Sequence, residues 1–126
     1  MQLVGALTGR GGADAQGPLG HVSVGSLTRG VTRLSEADNR PDFCQDFSLT
    51  KEQVAKYMAA ARQVTAIDFH GNHMWLPCFV AADIRVGEQP AKLTISASFT
   101  ARIVYPDSKE HFLVCEDECQ RALDFK

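Results

Sequence analysis

The stretch Lys92-Leu93-Thr94-Ile95-Ser96-Ala97-Ser98-Phe99-Thr100-Ala101-Arg102-Ile103-Val104-Tyr105 decides the fold class. Leu93, Ile95, Ala97, Phe99, Ala101, Ile103 and Tyr105 fall on one side of a period of two. Lys92, Thr94, Ser96, Ser98, Thr100 and Arg102 fall on the other. A period of two is the signature of a strand with one packed face and one wet face. Its fourteen residues exceed the usual strand of about 5–6, so a bend or bulge is expected near Ser96 to Ser98.

Neighbouring segments extend the sheet. Cys78, Val80, Ala82, Ile84 and Val86 alternate with Asp83 and Arg85, Gly87 to Pro90 reads as a turn, and Pro106 to Lys109 as the next. His111 to Cys115 then returns as a short strand. Upstream, Val22, Val24 and Leu27 suggest a strand and Val31 to Leu34 another, with loop over Glu36 to Asp42. These pairings call for antiparallel order.

One helix is well signalled. Thr50 and Gln53 have capping-box spacing, Leu49 can staple onto Val54, and Val54, Tyr57, Met58 and Ala61 form a stripe at i, i+3, i+4 and i+7. It is expected to fade near Gln63, where Val64 and Thr65 begin a strand-like stretch through Phe69. Its stripe needs an apolar partner, and the face carrying Leu93, Ile95, Phe99 and Ile103 is the nearest candidate. Glu116 to Phe125 can form a short C-terminal helix with its acids at the positive end. The fold class expected is α+β: an antiparallel sheet packed against one main helix, with a short C-terminal helix.

At 126 residues the chain has the size of one domain. Residues 1–20 hold six glycines and Pro18 and read as a flexible arm, leaving a single domain over 21–126. Leu3 to Leu7 is a short apolar run and Ala13-Asp14-Ala15 has the form of a signal-peptidase site. The run lacks a basic flank and the usual ~7–15 residues, so a flexible leader is the first reading and an export signal the second. With 13 basic and 15 acidic residues the net charge of −2 supplies no field that calls for nucleic acid. No stretch approaches the ~20 apolar residues of a membrane-spanning helix.

Cys44, Cys78, Cys115 and Cys119 are the next feature. An even count in a small domain points to disulfides in an oxidising compartment, and four cysteines admit three pairings. Cys78–Cys115 with Cys44–Cys119 is the favoured pair, because it ties the start of the helix and the C-terminal turn to one core. That compartment preference places the protein in the periplasm or exported rather than in the cytoplasm. The alternative is a tetrahedral zinc site drawn from His70, His73, Cys78, Cys115 and Cys119, although the paired C-x2-C knuckles of common zinc folds are absent. A thiol nucleophile needs a nearby histidine, and His111 on a strand stands about 13 Å from Cys115. No complete catalytic, phosphate-binding or dinucleotide motif is present, so no catalytic residue and no cofactor is assigned.

Two features suit a macromolecular partner. Trp75 lies in the loop-like His70 to Pro77, and tryptophan is enriched at binding hot spots. Glu116, Asp117 and Glu118 concentrate negative charge that suits a basic partner.

Phe43-Cys44, Phe47-Ser48-Leu49-Thr50 with Val54 and Tyr57, Pro77-Cys78 and Cys115-Glu116-Asp117-Glu118-Cys119 together resemble a group of small uncharacterised proteobacterial proteins, many of them exported or lipid-anchored. The resemblance covers about residues 43–119 and implies no catalytic residues. A small motif-free bacterial α+β domain also has the look of an immunity protein, which neutralises a toxin by covering its active site. The expectation is therefore a non-enzymatic binding protein, immunity-type, with a protein partner such as a basic toxin. The alternatives are an exported domain with an envelope or structural role and a small zinc or thiol-dependent enzyme.

Overall fold

The computed structural model describes residues 13–31, 47–73, 78–115 and 119. In chain order these form β1 (Ala13–Gly17), β2 (Gly20–Val31), α1 (Lys51–Ala60), β3 (Arg62–Val64), α2 (Ala66–Asn72), β4 (Cys78–Val86), β5 (Gln89–Ser96), β6 (Thr100–Val104) and β7 (Glu110–Val114). The strands make one curled antiparallel sheet in the order β1-β2-β4-β5-β6-β7-β3.

This overturns the expectation of a sheet packed against one main helix. Seven curled strands turn their inner faces toward one another: Val22, Val24, Val80, Ala82, Ile84, Leu93, Ile95, Ile103 and Leu113 share one core. A helix of 10 residues, about 15 Å long, then fills interior space instead of forming a second layer. Val54, Tyr57, Met58 and Ala61 are buried as the stripe required, but α1 lies against β1 and β2 at one edge. The C-terminal helix expected over Glu116 to Phe125 lies outside the described residues, Cys119 excepted.

Local chemistry explains where α1 begins. The Thr50 hydroxyl accepts from the Gln53 N–H at 3.1 Å, and the Gln53 side chain accepts from the Thr50 N–H at 2.9 Å. The box satisfies two of the N–H groups that a helix start leaves without partners. Ala61 is already extended and its N–H donates to the Tyr57 carbonyl at 2.8 Å, which ends the helix before the expected Gln63.

Part of the stretch expected as a flexible arm is strand. Ala13 to Gly17 pair with Gly20 to Val24, so the described fold starts eight residues before His21. β2 continues unbroken to Val31, with a register shift between Val24 and Leu27 where it pairs with β4. An extra residue at such a bulge bends the strand and increases its twist, which favours curling.

The long alternation turns out to be a hairpin. β5 and β6 pair antiparallel with Leu93 opposite Ile103 and Ile95 opposite Ala101. The Phe99 N–H donates to the Ser96 carbonyl at 2.8 Å, and Phe99 takes φ 63°, a region costly for a bulky side chain. Because odd-numbered residues face odd-numbered ones, the period of two survives the reversal. The polar side is not uniformly wet either: Ser96 and Thr100 are buried and bond to one another at 2.8 Å.

A second correction concerns residues 65–73. The strand-like stretch stops at Val64, after which Thr65 caps α2 by accepting from the Asp68 N–H at 3.1 Å. Phe69 then packs on Phe112 with ring centroids 4.6 Å apart, forming a satellite core with Val114 and Val64. β7 is therefore covered on both sides, by the main core at Leu113 and by α2 at Phe112 and Val114.

Candidate binding groove

The sheet presents a polar outer face whose central positions are small. Ser23, Gly25, Ser26, Thr28, Ala81 and Thr94 stand between the larger Asp83, Arg85, Lys92 and Arg102. A Cβ at Gly25 would come within 3.0 Å of the Asp83 carbonyl, so glycine lets β2 and β4 approach at the bulge. The result is a groove of ≈ 750 Å³ across β1, β2, β4 and β5, reaching Tyr105 and Pro106 after β6. A shallower depression of ≈ 260 Å³ adjoins it and shares Asp83 and Lys92.

Backbone register fixes the charges. The β4–β5 turn places Gly87 at φ 63°, the first central position of a tight two-residue hairpin. Counting outward from that turn sets Asp83 opposite Lys92. Their side chains form an ion pair, and the Ser26 hydroxyl donates to the other Asp83 oxygen at 2.8 Å. Those two hydrogen bonds, with the Lys92 charge, hold the Asp83 carboxyl below its usual range. Arg85 donates to the Glu88 carbonyl at 2.8 Å, and Asp14 stands 3.7 Å from His21. Val24, Pro90, Ala91, Val104 and Pro106 supply apolar lining between these charges.

Tyr105 closes one end. It is buried, its N–H donates to the Lys109 carbonyl at 2.9 Å, and its ring meets His111 edge-on at 5.3 Å. Burial raises its phenol above the ordinary value, with a smaller contribution from Asp107.

The residues singled out by sequence lie elsewhere. Trp75, Glu116, Asp117, Glu118 and Cys44 fall outside the described residues. Cys115 and Cys119 form a disulfide with 5.4 Å between their Cα atoms, which replaces both expected pairings, Cys78–Cys115 and Cys44–Cys119. Distance explains the correction: four residues apart in sequence, the two cysteines have Cα atoms within the span that a disulfide bridges. Cys78 is also disulfide-bonded. Cys78, Cys115 and Cys119 thus carry no thiolate for zinc or for nucleophilic attack.

The two histidines of the zinc alternative have other partners. His70 packs against Phe69 and Phe112, with ring centroids 5.3 and 5.4 Å away. His73 bonds Asp68 through Nε2 at 3.1 Å. Among the described residues no group of three or more His, Cys, Asp or Glu is placed to hold a metal. His111, weighed as a base for Cys115, meets the Gln63 side chain at 2.7 Å.

The sequence reading missed Asp83, Lys92, Ser26 and Tyr105. The Asp83–Lys92 pair had a usable signal, because the turn at Gly87 fixes the register by counting. Ser26 had none, since its approach to Asp83 depends on the bulge in β2. No described helix is long and apolar enough to cross a membrane. The chain matches no known protein family, no curated protein and no solved structure.

Proposed function

We propose that the protein works by binding a partner protein without turnover, in the manner of an immunity protein that covers a toxin's active site. The groove across β1, β2, β4 and β5 supports this reading. It joins apolar lining to a rim of charges, the anatomy of a protein interface. Its Asp83–Lys92–Ser26 cluster is already ordered, so little side-chain freedom is lost when a partner docks. The disulfide at Cys115–Cys119 and the oxidised Cys78 favour an oxidising compartment, such as the periplasm, for this activity.

Site-specific photo-crosslinking in the producing cell tests the proposal. A crosslinker placed at Ser23 in the groove, or at Thr94 in the adjoining depression, is expected to give one dominant protein adduct, lost on Asp83→Lys and absent from position 65. Equal labelling at position 65, or no adduct from any groove position, refutes it.

A further inference from the structure

The sheet ends in two edge strands, β1 and β3, and they are unequal. β3 offers only Arg62–Val64 before Thr65 caps α2. β1 runs for five residues, Ala13–Gly17, in unbroken register with β2. It carries none of the devices that blunt an edge strand: no proline, no lysine and no bulge. We propose that β1 is the contact of a homodimer, in which two copies pair β1 antiparallel about a twofold axis at Ala15 and join their sheets edge to edge.

Backbone parity says which groups face outward. The two-residue turn Pro18-Leu19 makes Gly17 and Gly20 the bonded pair beside it, and bonded pairs recur at every second residue from there. Gly17, Ala15 and Ala13 therefore commit their N–H and C=O groups to β2, whereas those of Asp14 and Gln16 point out of the sheet. No described group pairs with them. The strand is already fixed in place: α1 packs against it, and a Cβ on Gly17 would come within 2.1 Å of the Met58 carbonyl oxygen. Pairing therefore has little backbone freedom left to remove.

Side chains then select the register, because only alignments that oppose outward-facing residues can form bonds. An axis at Asp14 sets two carboxylates against each other. An axis at Gln16 sets Asp14 opposite Pro18, which has no N–H to donate. An axis at Ala15 sets Asp14 opposite the partner's Gln16 twice, and two bonded pairs supply four backbone hydrogen bonds. Both side chains are exposed. The Gln16 amide has no partner among the described residues, Asp14 meets His21 at 3.7 Å, and an amide N–H can donate to a carboxylate across the strands. The other face opposes Ala15 to Ala15 and Ala13 to Gly17, so no bulky side chain obstructs it. Asp14 also lines the groove, so pairing brings two grooves together across the axis, and the inference does not rest on what fills them.

Sedimentation of the whole disulfide-bonded protein, from about 10 μM to about 1 mM, tests the proposal. Five residues a side, against about 20–30 in a standard interface, place the dimer in the weak class, and the expected Kd is on the order of 100 μM. Gln16→Pro removes one outward N–H, which an edge strand tolerates because its inward bonds are untouched; the variant should stay monomeric with an unchanged Tm. Gln16→Asp opposes carboxylates at both bonded pairs and should weaken the dimer about tenfold, an effect that added salt relieves. Gln16→Lys opposes an ammonium to Asp14 and should tighten it severalfold, an effect that added salt removes. A monomer at the highest concentration, a dimer that survives Gln16→Pro in the folded protein, or the same response to Gln16→Asp and Gln16→Lys overturns the assignment.

Discussion

Replacing Tyr57 by phenylalanine isolates one buried hydrogen bond. The Tyr57 hydroxyl donates to the Phe99 carbonyl at 2.6 Å, and the ring is fully enclosed by the main core. Phenylalanine retains the ring, so no cavity term of consequence enters. The carbonyl keeps a second donor, the Cys115 N–H at 3.2 Å, which spares it the full cost of a buried acceptor without a partner. The expected loss is therefore about 1 kcal/mol, the ordinary net value of one hydrogen bond, or a fall in Tm of about 3–6 °C. Alkaline unfolding supplies a second readout. Burial raises the Tyr57 phenol well above 10.0, so the folded state keeps a proton that the unfolded state releases. Stability from this group is complete below the unfolded value and falls as pH rises toward the folded one, at up to ~1.4 kcal/mol per pH unit. Urea denaturation at pH 8 and at pH 11 checks both effects: Tyr57→Phe should be the less stable protein at pH 8 and the less pH-sensitive above 10. Equal stability at pH 8, or an unchanged alkaline slope, refutes the reasoning.

Non-reducing peptide mapping should recover Cys115 joined to Cys119 and Cys78 joined to Cys44, and removing the first bond by Cys115→Ala with Cys119→Ala should cost about 2 kcal/mol for so short a loop. Phe112→Ala should cost about 3 kcal/mol, and hydrogen exchange should show α2 losing protection while β4 and β5 keep theirs. NMR titration should find the Asp83 carboxyl below the ordinary aspartate value of 3.8, returning toward it in Lys92→Met. The folded value is the depressed one, so this group's small contribution is present at neutral pH and is lost as pH falls through that value.

What sequence reading recovered was local. Thr50 and Gln53 meet within one helical turn, and the span Cys78–Val86 is bounded by its own turn at Gly87, so both could be placed without knowledge of the rest. Length alone placed a break near Ser96 to Ser98, where β5 ends, but that it is a full reversal escaped because Ser96-Ala97-Ser98-Phe99 contains none of the glycine, proline or asparagine that usually marks a turn, and because its register preserved the alternation. α2 escaped for a related reason: Thr65 is β-branched and suggests a strand, yet here its hydroxyl caps a helix, and Gly71-Asn72 suggests a loop. The layer arrangement was misjudged because periodicity reports that a face is buried without reporting what buries it. For the site, Asp83 and Lys92 could be paired by counting from a turn, whereas Ser26 reaches Asp83 only through the bulge in β2.

The register of the β5–β6 hairpin also determines which changes of length it can absorb. Inserting two residues between Ala97 and Ser98 keeps Ala101 and Ile103 on the inner side, leaving the change to the loop. Inserting one residue presents a choice between turning β6 over, which exposes Ala101 and Ile103 and buries Arg102, and storing the extra residue as a bulge. The position therefore tolerates grafted segments by parity more than by size, and an even-numbered tag placed there should leave the strand order intact.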